Sequence, residues 1–158
     1  MNDGHKETHA EQFEAYRKKL HALVEQHGWA VQVVAFESPL HYTVGLTRAF
    51  SHPELAVRGL PLEMGQAILN SIAIRIREGE SFKAGTIHHD IFKGLPAKFI
   101  AVSNHEATLE LKAARDYAEE GRVGALQLLW PDAQGLFPDD AAASNSARQA
   151  QSLADDGQ

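Results

Sequence analysis

Residues 29–47 read WAVQVVAFESPLHYTVGLT, and the class of the fold turns on them. Trp29 to Phe36 is rich in β-branched and aromatic residues, Glu37-Ser38-Pro39 interrupts the run, and Leu40 to Thr47 resumes it. That pattern predicts a β-hairpin. In the second run Leu40, Tyr42, Val44 and Leu46 alternate with His41, Thr43, Gly45 and Thr47. Successive side chains of a strand point to opposite faces, so one face is apolar and the other polar or small. The polar face is expected either to meet solvent or to line a site.

Before the hairpin, Phe13, Tyr16, Leu20, Leu23, Val24 and His27 recur at three-and-four spacing, the period of one helical face. Thr8 and Glu11 have capping-box spacing at its start, and Gly28 suits the left-handed residue that closes a helix. After the hairpin, residues 48–60 (RAFSHPELAVRGL) admit two readings. Leu55 and Val57 suit a short strand, whereas Ser51 and Glu54 with Pro53 between them suit the first turn of a helix. Pro61 then opens a second long helix to about Arg77, with Leu62, Gly65, Ile68, Leu69, Ile72 and Ile76 on its buried stripe. Short strand pieces are expected at Thr86-Ile87 and Ile91-Phe92, and an ordinary strand over Ala97 to Ser103. Ser103 and Glu106 cap a third helix, about His105 to Glu120, whose thin apolar side predicts a surface position. Gly124 to Trp130 reads as the last strand, followed by a turn at Pro131 to Gly135.

This order of elements predicts an α+β fold, a mainly antiparallel sheet with two long packed helices and one surface helix. Residues 1–10 are read as a flexible arm and 11–138 as a single domain. Past Pro138 only Leu153 is large and apolar, so residues 139–158 are read as a disordered or weakly helical tail.

Composition narrows the function classes. A chain of 158 residues with 44% hydrophobic and 23% charged residues is an ordinary globular domain. It has no cysteine, which removes disulfides, thiolate metal sites and cysteine nucleophiles. The 15 Lys and Arg stand against 21 Asp and Glu for a formal charge of −6, and the longest basic run is Arg17-Lys18-Lys19. Nucleic-acid binding needs a basic stripe, so none is expected. With neither a signal-type apolar segment nor a membrane-spanning run, a cytoplasmic protein without membrane partners is the expectation. The acidic surface alone suggests a third class, a passive interaction protein.

Two segments carry candidate chemistry. His52-Pro53-Glu54 sets an imidazole and a carboxylate beside each other, able to polarise water or hold a ligand, although Ser51 and Glu54 serve equally well as turn and cap residues. His88-His89-Asp90 has zinc-type ligands, but adjacent strand residues point to opposite faces and no HExxH spacing supports them. No metal site is therefore assigned. The GxSxG, GxxxxGK[ST] and GxGxxG templates are absent as well.

His27-Gly28-Trp29, Tyr42 to Leu46 (YTVGL), His52 to Leu55 (HPEL), Gly59-Leu60, Gln127 to Asp132 (QLLWPD) and Gly135 to Pro138 (GLFP), in that order, resemble an uncharacterised bacterial family, domain of unknown function 4262. The resemblance spans about residues 20–138. Where family members carry an aromatic residue after the last Phe-Pro, this chain has Asp139-Asp140. The resemblance implies a domain boundary and a shortlist of positions; it implies no activity, substrate or cofactor. Together with the strand reading it points to Tyr42, Thr43, Gly45, Thr47, His52 and Glu54 as ligand-binding residues of a small binding domain whose partner is a small molecule or a protein, with a homodimer left open. The alternative is a metal-assisted hydrolase or redox enzyme using His52 and Glu54 with a further histidine from His41, His88 or His89.

Overall fold

A computed structural model of the chain describes residues 8–35, 37–118 and 121–153. Helix α1 (His9–His27) begins with the expected capping box, Thr8 Oγ accepting from Glu11 N–H and Glu11 carboxylate accepting from Thr8 N–H, and ends at Gly28 with φ 95°. The hairpin follows as β1 (Ala30–Val34) and β2 (Leu40–Val44), paired antiparallel from Ala30↔Val44 to Val34↔Leu40. Its expected ending at Phe36 lies outside the described residues.

The ambiguous segment resolves as a short helix and then a strand. Helix α2 (Leu46–Phe50) precedes β3 (Glu54–Arg58), so Ser51 closes a helix with φ 55° and does not open one. Next come α3 (Leu62–Arg77), β4 (Ile87–Phe92) and β5 (Leu95–Val102). The long third helix expected over 105–120 is two pieces, α4 (Asn104–Glu110) and α5 (Lys112–Tyr117), broken at Leu111; residues 119 and 120 lie outside the described residues. Ala107, Leu111 and Ala114 are buried, so this region packs on the sheet as well as covering it. Strand β6 (Ala125–Leu129) completes the sheet, and α6 (Asn145–Gln151) follows.

The sheet order is β1-β2-β3-β6-β5-β4, antiparallel throughout except for the central β3–β6 pair. The class is α+β, as expected. Two cores cover its two faces. Leu55 and Val57 of β3 join Leu69, Ile72 and Ile76 of α3, while Ala56 joins Tyr42, Val44, Leu111 and Ala114 on the other side. Strand β2 therefore has no exposed polar face, because all five of its residues are buried. His41 lies against α3, donating from Nε2 to Leu62 O at 2.8 Å, and its ring fills the space beside Gly65, where a Cβ would come within 2.3 Å of it.

The segment read as a disordered or weakly helical tail holds α6 and a buried Leu153, while residues 154–158 lie outside the described residues. Of the flexible arm, residues 1–7 also lie outside them, and the helix takes over at His9. Among the described residues no helix is long and apolar enough to cross a membrane.

Candidate functional site

Strand β2 runs out at Val44 and the chain turns through Gly45, whose φ of 111° only glycine adopts readily. A Cβ there would also stand 2.5 Å from Val24 Cγ1 and 2.7 Å from Gly28 O. Gly45 was expected inside a strand near a ligand; it lies instead at the turn into α2, pressed against α1. That turn directs the amides of residues 45–47 toward the start of β3, where Glu54 sits.

The Glu54 carboxylate is 5% exposed and surrounded by donors. Oε1 accepts from Thr43 Oγ at 2.8 Å and Leu46 N–H at 3.1 Å; Oε2 accepts from Gly45 N–H at 3.1 Å and Thr47 N–H at 3.3 Å. Thr43 Oγ also accepts from Leu55 N–H at 2.8 Å, and Thr47 Oγ donates to His52 O at 2.9 Å. Burial pushes the Glu54 carboxyl up to about 7, against the four donors, Thr43 first, which pull it down. A carboxylate offers about four lone-pair sites, and here four donors use them. Glu54 is thus the clasp of the loop that carries α2.

Thr43, Gly45, Thr47 and Glu54 therefore come together, but only Thr47 and Glu54 reach a cavity. It measures about 450 Å³, and Arg48, Tyr117, Arg122 and Val123 line it with them, together with Ala114 and Ala118 of the α5 side. The Arg48 guanidinium lies 5.2 Å from the centre of the Tyr117 ring. Arg122, Tyr117 and Val123 were invisible to sequence reasoning, because they are brought in from about 70 residues away by the pairing of β6 with β3. Arg48 directly follows the polar run, and its position after Thr47 was the one local clue.

His52 and Tyr42 face elsewhere. His52 is buried, its Nδ1–H donating to Pro53 O at 2.8 Å and its Nε2 accepting from Phe82 N–H at 3.0 Å. Both ring nitrogens are occupied by the backbone, so the lone pair a metal or a proton transfer would need is already in use. His41 is held under α3, His88 pairs through Nε2 with Thr86 Oγ at 3.0 Å beside Phe82 and Phe99, and His89 is exposed. Among the described residues no three His, Asp or Glu side chains are grouped to hold a metal ion. The alternative of a metal-assisted enzyme built on His52 and Glu54 is not supported. Tyr42 points to the opposite side of α5, where its hydroxyl accepts from Ala113 N–H at 2.9 Å. Burial pushes that phenol up to about 12, so it keeps its proton at neutral pH.

A family model described as a domain of unknown function, DUF4262, matches residues 23–144. No curated protein and no solved structure matches the chain.

Proposed function

Because the chain belongs to the DUF4262 family, a domain of unknown function, we propose from its own geometry that it binds a small, polar, anionic molecule in the cavity beside Glu54. The observation that supports this reading is the lining itself: Arg48 and Arg122 on the wall of a cavity of about 450 Å³, in a chain whose formal charge is −6. Small-molecule sites have volumes of about 300–1,000 Å³ and place a few polar groups in largely apolar walls. Here Ala114, Ala118 and Val123 supply the apolar wall, Tyr117 an aromatic edge, and the arginines the forked donors that suit a carboxylate or phosphate. Glu54 serves by holding Thr47 and Arg48 in place, and so acts as a positioning residue. The reading keeps the chain a binding domain, cytoplasmic and bacterial, with a small-molecule partner and no nucleic acid.

Native mass spectrometry of protein purified without a metal-affinity tag, compared with its denatured mass, tests for a retained ligand. Thermal-shift titrations with inorganic phosphate and with citrate test the anion preference directly, since a ligand that binds only the folded state raises its stability. The wild type is expected to gain thermal stability with one of these anions, and the Arg48→Ala/Arg122→Ala double variant to lose that gain. A bare native mass together with no anion-dependent shift would remove the proposal, and so would a shift that the double variant retains.

A further inference from the structure

A second cavity lies across α5 from the first, between α1, the hairpin and the start of α5, with a volume of about 310 Å³. Helix α1 buries only Leu20 and Val24, leaving Phe13 62% and Tyr16 47% exposed at the mouth of this cavity. Leu20 and Tyr42 form its deeper apolar wall. Phe13 and Tyr16 are thus rings in contact with water although a concave apolar site lies beside them.

The polar groups of the cavity are unlike its walls. Lys112 and Arg115 line it, both exposed, and neither side chain has an ion-pair or hydrogen-bond partner among the described residues. The lining carboxylate, Asp116, is already held by Arg17, with His21 Nε2 at 3.8 Å. Deep inside, the Tyr42 hydroxyl accepts from Ala113 N–H, and among the described residues no acceptor takes its own hydrogen. Tyr42 is 2% exposed, and its hydroxyl, which accepts one hydrogen bond, keeps its own hydrogen available to a ligand at the inner wall of the cavity.

We infer that this cavity binds a small aromatic carboxylate, its ring between Phe13, Tyr16 and Leu20 and its carboxylate between the Tyr42 hydroxyl and the Lys112 and Arg115 cations. The ring covers the exposed aromatic walls, and the carboxylate supplies an acceptor for the Tyr42 hydroxyl and a counter-charge for Lys112 and Arg115. A neutral aromatic would satisfy only the first requirement, and inorganic phosphate only the second. The site is separate from the Glu54 cavity, since α5 turns Ala114 and Tyr117 toward that one and Arg115 and Asp116 toward this one.

The test is heteronuclear NMR on the full chain, titrated with phenylacetate and, in parallel, with the neutral isostere phenylacetamide. Phenylacetate is expected to give saturable shifts at Ala113 and at the ring signals of Phe13 and Tyr16, with at least about tenfold tighter binding than the amide, as charge-assisted hydrogen bonds imply. The Lys112→Ala/Arg115→Ala variant, which alters only exposed side chains, is expected to keep its spectrum elsewhere and to lose that preference. The Arg48→Ala/Arg122→Ala variant is expected to bind phenylacetate as the wild type does, which separates this site from the one beside Glu54. Equal binding of acid and amide, no saturable shift at millimolar acid, or shifts centred on Thr47 and Tyr117 would each overturn the inference.

Discussion

Glu54 was legible in the sequence as a polar residue beside His52 and Pro53, and so were Thr43, Gly45 and Thr47; what could not be read is that they serve one another. A capping pattern in sequence counts three residues forward, whereas Glu54 caps backward across a turn, onto amides of residues 45–47. The group is costly to ionise because it is almost wholly buried. With the folded value at about 7 and the ordinary value at 4.5, the raised pKa favours folding below about pH 4.5, and that contribution is lost as pH rises through 7. Unfolding in urea should therefore show wild-type stability lower at about pH 8 than at about pH 5 by roughly 2–3 kcal/mol. Glu54→Gln cannot titrate, and it sets an amide NH₂ against backbone donors, costing about 1–3 kcal/mol at the lower pH. The two stability curves should converge toward high pH, and parallel curves would show that Glu54 does not titrate in this window.

At the scale of elements, local signals read well where both ends of an element were marked. Thr8, Glu11 and Gly28 bound α1, and Pro61 opens α3 where it was expected. The break at Leu111, where ψ is 66°, carried no Gly or Pro, and Ala107, Leu111 and Ala114 keep the i, i+4, i+7 spacing of one continuous helical face, so the hydrophobic pattern does not announce it. The tail was read as disordered or weakly helical, and the docking of α6 was not legible because its hold on the domain is polar. Gln151 is 3% exposed; its Oε1 accepts from Trp130 N–H at 3.1 Å and its Nε2 donates to Trp130 O at 2.8 Å. Gln127 Nε2 donates to Gln151 O, and Arg58 donates to Ser152 O at 2.6 Å. A hydropathy pattern does not see such a latch. Gln151→Ala leaves both backbone groups of Trp130 without these partners, for a loss of about 2–4 kcal/mol. In a chain of this length that lowers the melting temperature by roughly 5–15 °C. Exposed Gln149→Ala should leave it nearly unchanged, and equal effects from the two would mean that the latch contributes nothing.

For the molecule as a whole, the decisive contact is the one that no local pattern announces, the parallel pairing of β3 with β6 from Glu54↔Ala125 to Ala56↔Gln127. It joins a β1-β2-β3 half to a β6-β5-β4 half and is extended by Glu54 N–H donating to Gly124 O at 2.9 Å. The same pairing brings residues 122 and 123 beside residues 47 and 48, so the cavity next to Glu54 exists only while the two halves are joined. Strands β3 and β6 are covered by cores on both faces, whereas β4 is an edge strand with a register shift and several exposed residues. Local opening follows burial and hydrogen-bond exposure. In native-state hydrogen exchange, amides of β3 and β6 should exchange last and share one opening free energy equal to that of global unfolding. Those of β4 should exchange earlier, through local opening. If β6 instead exchanged with β4 and β5 well before β3, the halves would open separately, and the cavity beside Glu54 would be lost before the fold as a whole.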